Sequence, residues 1–361
     1  MQRENDYGNV APAALLKEVW GREAPPAEWV VDQSFTGKAY ARLEANDGPV
    51  CLRRFPVGTS PHWLEAVHGA TTFLERRGFR LFPRILATET GETVIRHSGY
   101  RYELSAWAPG DVWSPEDLCD AQLTGLGEAV ARLHVVGSGA PGPPVRFDWL
   151  TGRQALTQRL AWDPVPRGPD AWQRSQSVAA YFGTLDLSDQ PTQASPEARE
   201  VVEVARSTLR WLDRAGPELA TLANGPPTLT HGDLWPDHVR FSGHDVTALV
   251  DLDTLALRPP LGDLAALCAD FGHWDAARFA VIVAAYRRHR SVSDEAIAAL
   301  PRLGALRTLG ILRQRIRAWQ AELGRSEPGA ALRGPVSYWC AQLRRLTALD
   351  PESWAIRPQA G

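Results

Sequence analysis

Two acid-bearing loops, each leaving a short hydrophobic strand, constrain this chain more than any other feature. The run Thr-His-Gly-Asp-Leu-Trp-Pro-Asp-His-Val-Arg-Phe occupies residues 230–241, and Leu-Val-Asp-Leu-Asp follows at 249–253. Between them, 239–241 and 246–250 read as paired strands joined by a Ser-Gly-His-Asp turn at 242–245. Such a hairpin holds Asp233 and Asp251 near one another on a rigid base. Two carboxylates held in this way can divide the labour of phosphoryl transfer. One takes a proton from an attacking hydroxyl, and the other grips a divalent cation carrying phosphate.

The residues upstream supply a matching frame. Segments 29–33, 39–45 and 50–55 read as three consecutive strands, with Asn46-Asp47-Gly48 as a hairpin turn. A helix follows, with Ser60 as N-cap, Pro61 in its first turn, Leu64, Val67, Thr71 and Leu74 at helical spacing, and Gly78 as its stop. Segments 85–88, 93–97 and 100–107 then read as returning strands. Ala108-Pro109-Gly110 breaks the last of them and marks a hinge. A strand edge leaving a sheet there offers backbone N–H and C=O groups to a flat heterocycle. Beyond it, Ser114-Pro115-Glu116-Asp117 starts a helix ending near His134, and helices are expected at 195–214, from Gly262, and over 276–290, 294–320 and 335–349. The basic run Arg287-Arg288-His289-Arg290 suits the negative end of a helix dipole better than a nucleic-acid patch. The segment 147–191 yields no clear pattern.

His231-Gly232-Asp233, a second ligand position at 238 and a strand ending in Asp251 together resemble the catalytic loop of the aminoglycoside phosphotransferase and choline kinase-like family. The likeness runs roughly from residue 29 to 269. It implies an α+β, protein kinase-like fold of two lobes, an ATP-binding lobe at 1–107 and a helical lobe at 108–361 carrying a catalytic hairpin at 228–253. It further implies transfer of the γ-phosphate of ATP or GTP to a small-molecule hydroxyl. In that reading Asp233 is the base, with His231 in the same loop, and Asp251 is the main metal ligand, with His238 and Asp253 beside it. Arg53 clamps phosphate, Gly37 lies in the phosphate-covering loop, and the backbone near Ser105 and Trp107 meets adenine. Asp263 corresponds to a position that braces the catalytic loop, although a helix cap explains it equally.

Two residues depart from the family pattern. His238 stands where asparagine is usual, and Arg53 stands where a lysine is usual. An imidazole is a poor ligand for Mg2+ and a better one for Mn2+, and it can instead contact phosphate as an imidazolium. The helix at 61–77 should supply an acidic partner for Arg53, with Glu65 and Glu75 as candidates, but His68 lies closer to its inward stripe. Lys38 can reach phosphate but reads better as plain surface charge. Trp274, Trp319 and Trp339 are expected to shape the acceptor pocket.

Bulk properties exclude several other classes. A net charge of −3 gives no general pull toward nucleic acid or an anionic membrane, and no apolar stretch is long enough to span one. The polar start at 1–10 does not read as a signal peptide, and four widely spaced cysteines read as buried free thiols in a reducing cytoplasm. Two alternatives stand beside the kinase reading. One is a nucleotide-binding regulator with little transferase activity, and the other is a metallohydrolase using His231, Asp233, His238 and Asp251 as ligands.

Overall fold

Strand alternation does most of the positioning. The computed structural model describes residues 10–31, 38–141, 196–213, 226–322 and 333–348. A five-stranded antiparallel sheet comprises β1 (Val30–Val31), β2 (Ala39–Ala45), β3 (Gly48–Phe55), β4 (Ile95–His97) and β5 (Tyr100–Ala106), in the order β1-β2-β3-β5-β4. One face presents Ala41, Leu43, Val50, Leu52, Tyr102 and Leu104 to Leu15, Leu16 and Trp20 of helix α1 (Pro12–Trp20), forming a separate apolar cluster. Because side chains alternate along a strand, the opposite face receives Tyr40, Cys51, Arg53, Glu103 and Ser105. The register sets Arg53 directly across from Glu103 and Cys51 across from Ser105.

Helix α2 (Pro61–Arg76) begins as the sequence predicts, with the Ser60 hydroxyl accepting from Trp63 N–H. Its apolar face joins Phe55, Phe79 and Phe82 in the larger core cluster, which continues through the C-terminal helices. Among the described residues these are α3 (Asp120–Val136), α4 (Pro196–Asp213), α5 (Leu261–Asp270), α6 (Ala276–Arg287), α7 (Asp294–Glu322) and α8 (Arg333–Ala348). Strand β6 (Thr228–Thr230) pairs with β9 (Ala256–Arg258), and the hairpin β7 (Val239–Ser242) and β8 (Asp245–Leu249) forms at its expected place.

Several sequence expectations are corrected. Residues 85–88 form no strand. Ile85 makes a single bridge to Ser105, and the backbone of Thr88 is diverted into a turn with Glu92. The helix expected from Ser114 starts at Asp120 instead. Ser114 spends its hydroxyl on Glu116, so the chain makes only a 3-10 turn at Pro115–Asp117, and Gln122 reaches back to the N–H of Cys119. Cys119 is exposed and Cys51 half-buried, so only Cys268 and Cys340 are buried thiols. The basic run 287–290 does lie at the C-terminal end of α6, with Arg287 in its last turn, and it also serves neighbours, since Arg288 pairs with Glu128 and Arg290 caps the carbonyl of His134 in α3. Residues 32–37, with Gly37, and 142–195 lie outside the described residues.

The hinge is stitched to the hairpin. Asp111 and Phe241 exchange both backbone hydrogen bonds at 2.8 and 2.9 Å, and the Thr247 hydroxyl donates to the Pro109 carbonyl. Gly110 makes that approach possible, because a Cβ there would lie 2.6 Å from the Phe241 carbonyl oxygen. No helix among the described residues is long and apolar enough to cross a membrane.

Candidate active site

The loop after β6 is held from beneath. Gly232 adopts φ +82, and a Cβ there would collide with the Arg258 guanidinium. Asp263, near the start of α5, accepts from His231 N–H at 2.7 Å and Gly232 N–H at 2.8 Å. Its remaining partner is His134, whose Nε2 donates at 3.1 Å while Nδ1 meets the Tyr286 hydroxyl at 2.7 Å. Burial opposes ionisation of Asp263, but His134, His231 and the loop N–H groups outweigh it and hold the carboxyl below its ordinary value. Asp263 therefore braces the loop and does not cap its helix, which has no side-chain cap.

His231 is fully enclosed, and both ring nitrogens serve the backbone. Nε2 donates to the Val250 carbonyl at 2.9 Å, and Nδ1 accepts from Asp233 N–H at 3.3 Å. Burial pulls its pKa down to about 4, so the ring is neutral near pH 7. It ties the two acid-bearing loops together and has no nitrogen left for a metal. The four-ligand hydrolase reading loses one ligand by this geometry.

His238 lies between the two acids. Its Nδ1 donates to the Asp233 carbonyl at 2.8 Å, and its Nε2 lies 3.5 Å from Asp251 Oδ2. The Asp233 carboxylate is 3.8 Å from the same ring. One donor atom from each of Asp233, His238 and Asp251 falls within 4.8 Å of the others. Burial raises the Asp233 pKa, while it opposes charging of His238, whose pKa is nevertheless raised by Asp251, Asp233 and Asp237. Asp237 itself points into solvent, 75% exposed. Asp251 takes a left-handed conformation, φ +59, and a 3-10 turn at Leu252–Thr254 follows. The strand geometry expected beyond it is thus absent, yet Asp253 still faces the same cations.

Those cations come from the sheet. Arg53 Nη2 lies 2.7 Å from Asp253 Oδ1 and 3.4 Å from Asp251 Oδ1, while Nη1 lies 3.0 Å from Glu103. Arg54 turns to the other face, against Trp29 and Tyr100. The helix carboxylate expected for Arg53 is absent. Glu65 is exposed beside His62, and Glu103, directly across the sheet, takes its place. Helix α2 contributes through His68, whose Nε2 meets the other Glu103 oxygen at 2.7 Å. Burial resists the Glu103 charge, but Arg53 and His68 hold its pKa below the ordinary range. Lys38 is not a surface lysine. Its side chain is 12% exposed, with Asp251 at 3.3 Å and Asp253 also in contact. Burial disfavours charge on Lys38 and Arg53, and burial also disfavours it on Asp251. Mutual attraction overrides this, raising the pKa of both cations and holding the Asp251 carboxyl far below its ordinary value.

Lys38, Arg53, Glu103, His238 and Asp251 line a cleft of about 440 Å³ between sheet and hairpin, walled by Pro83, Ile85, Val250 and Leu252. Ser105 and Trp107 line it too, but Ala106 N–H is taken by the Arg84 carbonyl and Trp107 N–H by that of Pro49. Trp274 and Trp339 are core residues, each 1% exposed, and neither forms an open pocket wall. Trp274 occupies the space left by Gly304, and Trp339 packs edge-on to Trp235 at 4.9 Å. The side chain of Trp319 lies outside those described.

Comparison with known proteins gives a consistent result. The model of the APH family, described as the phosphotransferase enzyme family, matches residues 31–300. A homoserine kinase of Rhodopseudomonas palustris (strain TIE-1) is 26% identical over 66% of this chain. The match spans 63% of that relative's length, a little under two thirds. Among solved structures, a spectinomycin phosphotransferase in complex with ADP and spectinomycin superposes with a TM-score of 0.64 at 12% identity, covering 94% of this chain and 97% of the other. An amicoumacin kinase bound to AMP-PNP and Ca2+ gives 0.59 at 13% identity, covering 90% and 91%. At these identities the structural likeness establishes the two-lobe kinase-like fold.

Proposed function

Since the chain belongs to the phosphotransferase enzyme family, we propose that it moves the terminal phosphoryl group of ATP or GTP onto a hydroxyl of a small molecule. The observation that carries this reading is the pair of carboxylates flanking one imidazole, Asp233 at 3.8 Å and Asp251 at 3.5 Å from His238, beneath two cations. A new bond forms between the acceptor oxygen and the terminal phosphorus, the bond to the bridging oxygen breaks, and the diphosphate departs. Asp233 takes the hydroxyl proton. Its burial raises its affinity for that proton, while the bonds from Asp263 to the loop fix its position.

The three clustered donors fit a divalent cation, Mg2+ or the softer Mn2+, held chiefly by Asp251 and His238. Such an ion neutralises phosphate charge. With Nδ1 bonded to the Asp233 carbonyl, His238 turns its Nε2 toward Asp251, the orientation of a ligating histidine, and a cation bound there would displace the proton that Asp251 favours on that nitrogen. Asp253 lies outside that cluster and braces Arg53 and Lys38. Relatives named homoserine kinase make homoserine, an amino acid with a primary hydroxyl, the first acceptor to test. The reading also implies a small lobe at 1–107, a larger one from 108, and a cytoplasmic setting where nucleoside triphosphates are available.

Measuring ADP release with homoserine, amino alcohols and aminoglycosides, each with magnesium or manganese, tests the proposal. Asp233→Asn should lower kcat by about 10²- to 10⁴-fold with nucleotide affinity retained. One observation favours a second reading, a nucleotide-binding regulator: Lys38 and Arg53 already occupy Asp251. Protein that binds nucleotide yet releases no ADP above background with any acceptor would decide for that reading.

A further inference from the structure

We infer that Lys38, entering β2, is the cation that grips the triphosphate in this chain, while Arg53, one strand over, is a fixed strut. The inference rests on the nucleotide-binding reading above and assigns the phosphate role to a residue whose sequence context favours surface charge over a reach to phosphate.

The two cations are held very differently. Arg53 commits both terminal nitrogens, one to Glu103 and the other to Asp253 and Asp251, and its guanidinium lies 5.0 Å from the Phe55 ring centre. Glu103 is in turn locked by His68, which is anchored on Thr93 at 2.9 Å. Withdrawing Arg53 toward a ligand would strand a nearly enclosed carboxylate, a heavily penalised arrangement. Its planar fork also fits the carboxylates it already meets. Among the described residues Lys38 has no second anchor of this kind. Its ammonium is a compact charge on a flexible stem, its carboxylate partners are Asp251 and Asp253, and it lines the cleft. A polyphosphate entering beside these carboxylates presents new anionic oxygens within the sweep of the stem. Lys38 can transfer to them with a simple torsional change, whereas Arg53 cannot do so without dismantling the Glu103–His68 chain.

The test is equilibrium binding of ATP and of adenosine to the full chain, in EDTA and in magnesium, by isothermal titration calorimetry, with thermal melting of each ligand-free variant alongside. Lys38→Met should weaken ATP by roughly 10- to 100-fold, the size of one or two charge-assisted hydrogen bonds, with adenosine affinity unchanged. Lys38→Arg should restore part of the loss. Arg53→Met should lower the ligand-free melting temperature by more than Lys38→Met does. A wild-type ratio of ATP to adenosine affinity in Lys38→Met would overturn the assignment. So would loss of that ratio in a folded Arg53→Met but not in Lys38→Met. Wild-type protein that binds neither ligand would instead overturn the nucleotide reading itself, and this assignment with it.

Discussion

On the helical side of the cleft the 231–238 loop hangs from main-chain bonds to one buried carboxylate, Asp263, whereas the sheet side holds its charges by side chain-to-side chain pairs. Asp263 has every partner within the same half: two loop N–H groups and His134. The sheet-side cluster of Lys38, Arg53 and Glu103 shares Asp251 and Asp253 with the opposite half. The first arrangement fixes a loop in place without reference to any ligand. In the second, the carboxylates of Glu103, Asp251 and Asp253 share Arg53 and Lys38, and Lys38, which does not meet Glu103, is the member that can be redistributed when new charge arrives. Rigidity under the base and exchangeability over the phosphate site are thus built from the same residue types in different connectivity.

The sharpest way to break the comparison is to remove the loop's anchor. Asp263→Ala leaves two buried N–H groups and His134 unanswered, so stability should fall by about 3–5 kcal/mol, read from urea unfolding. A loss no larger than that of a surface substitution would show that the loop is held by something else. A smaller effect is expected on the sheet side. His68→Leu removes the charge-assisted bond to Glu103 and should cost about 1.5–3 kcal/mol. It should also loosen Arg53, so that Arg53→Met costs less in that background than alone.

The smallest effect is a pH slope. The carboxyl of Glu103 is held below its ordinary value of 4.5, so its stabilising share is complete above that pH and lost as pH falls through the lowered value. One such group contributes at most about 1.4 kcal/mol per pH unit. Urea midpoints measured through the acid range should therefore show a shallower decline in Glu103→Gln than in wild type, and equal slopes would remove Glu103 from the cluster.

Much of this was legible in the chain. The turn at 242–245, the Ser60 cap and the alternation of β2 follow from local rules, and the structure keeps them within a residue or two. Asp233, His238 and Asp251 were legible as a group because the hairpin joining them is short. Lys38 was not, because its partner Asp251 lies 213 residues away and no local pattern announces the pair. Glu103 is hidden for a related reason: the resemblance directs the acidic partner to the next helix. A signal was present. An acid set between the buried Tyr102 and Leu104 demands a cation, and the register sets Arg53 opposite it. Ser114 misled through chemistry, since its hydroxyl found a closer acceptor in Glu116 than in the backbone.

The seam between Asp111 and Phe241 has a mechanical corollary. Pro109 and Asp111 are fastened to the hairpin, so a swing of the sheet about this seam would turn on the few residues just before it, at the inner wall of the cleft. A flat ring lodged there would rest almost on the fulcrum and travel little. The ion pairs of Lys38 and Arg53 with Asp251 are a second fastening across the cleft, made of charges that a ligand can compete for where the seam is made of backbone that it cannot.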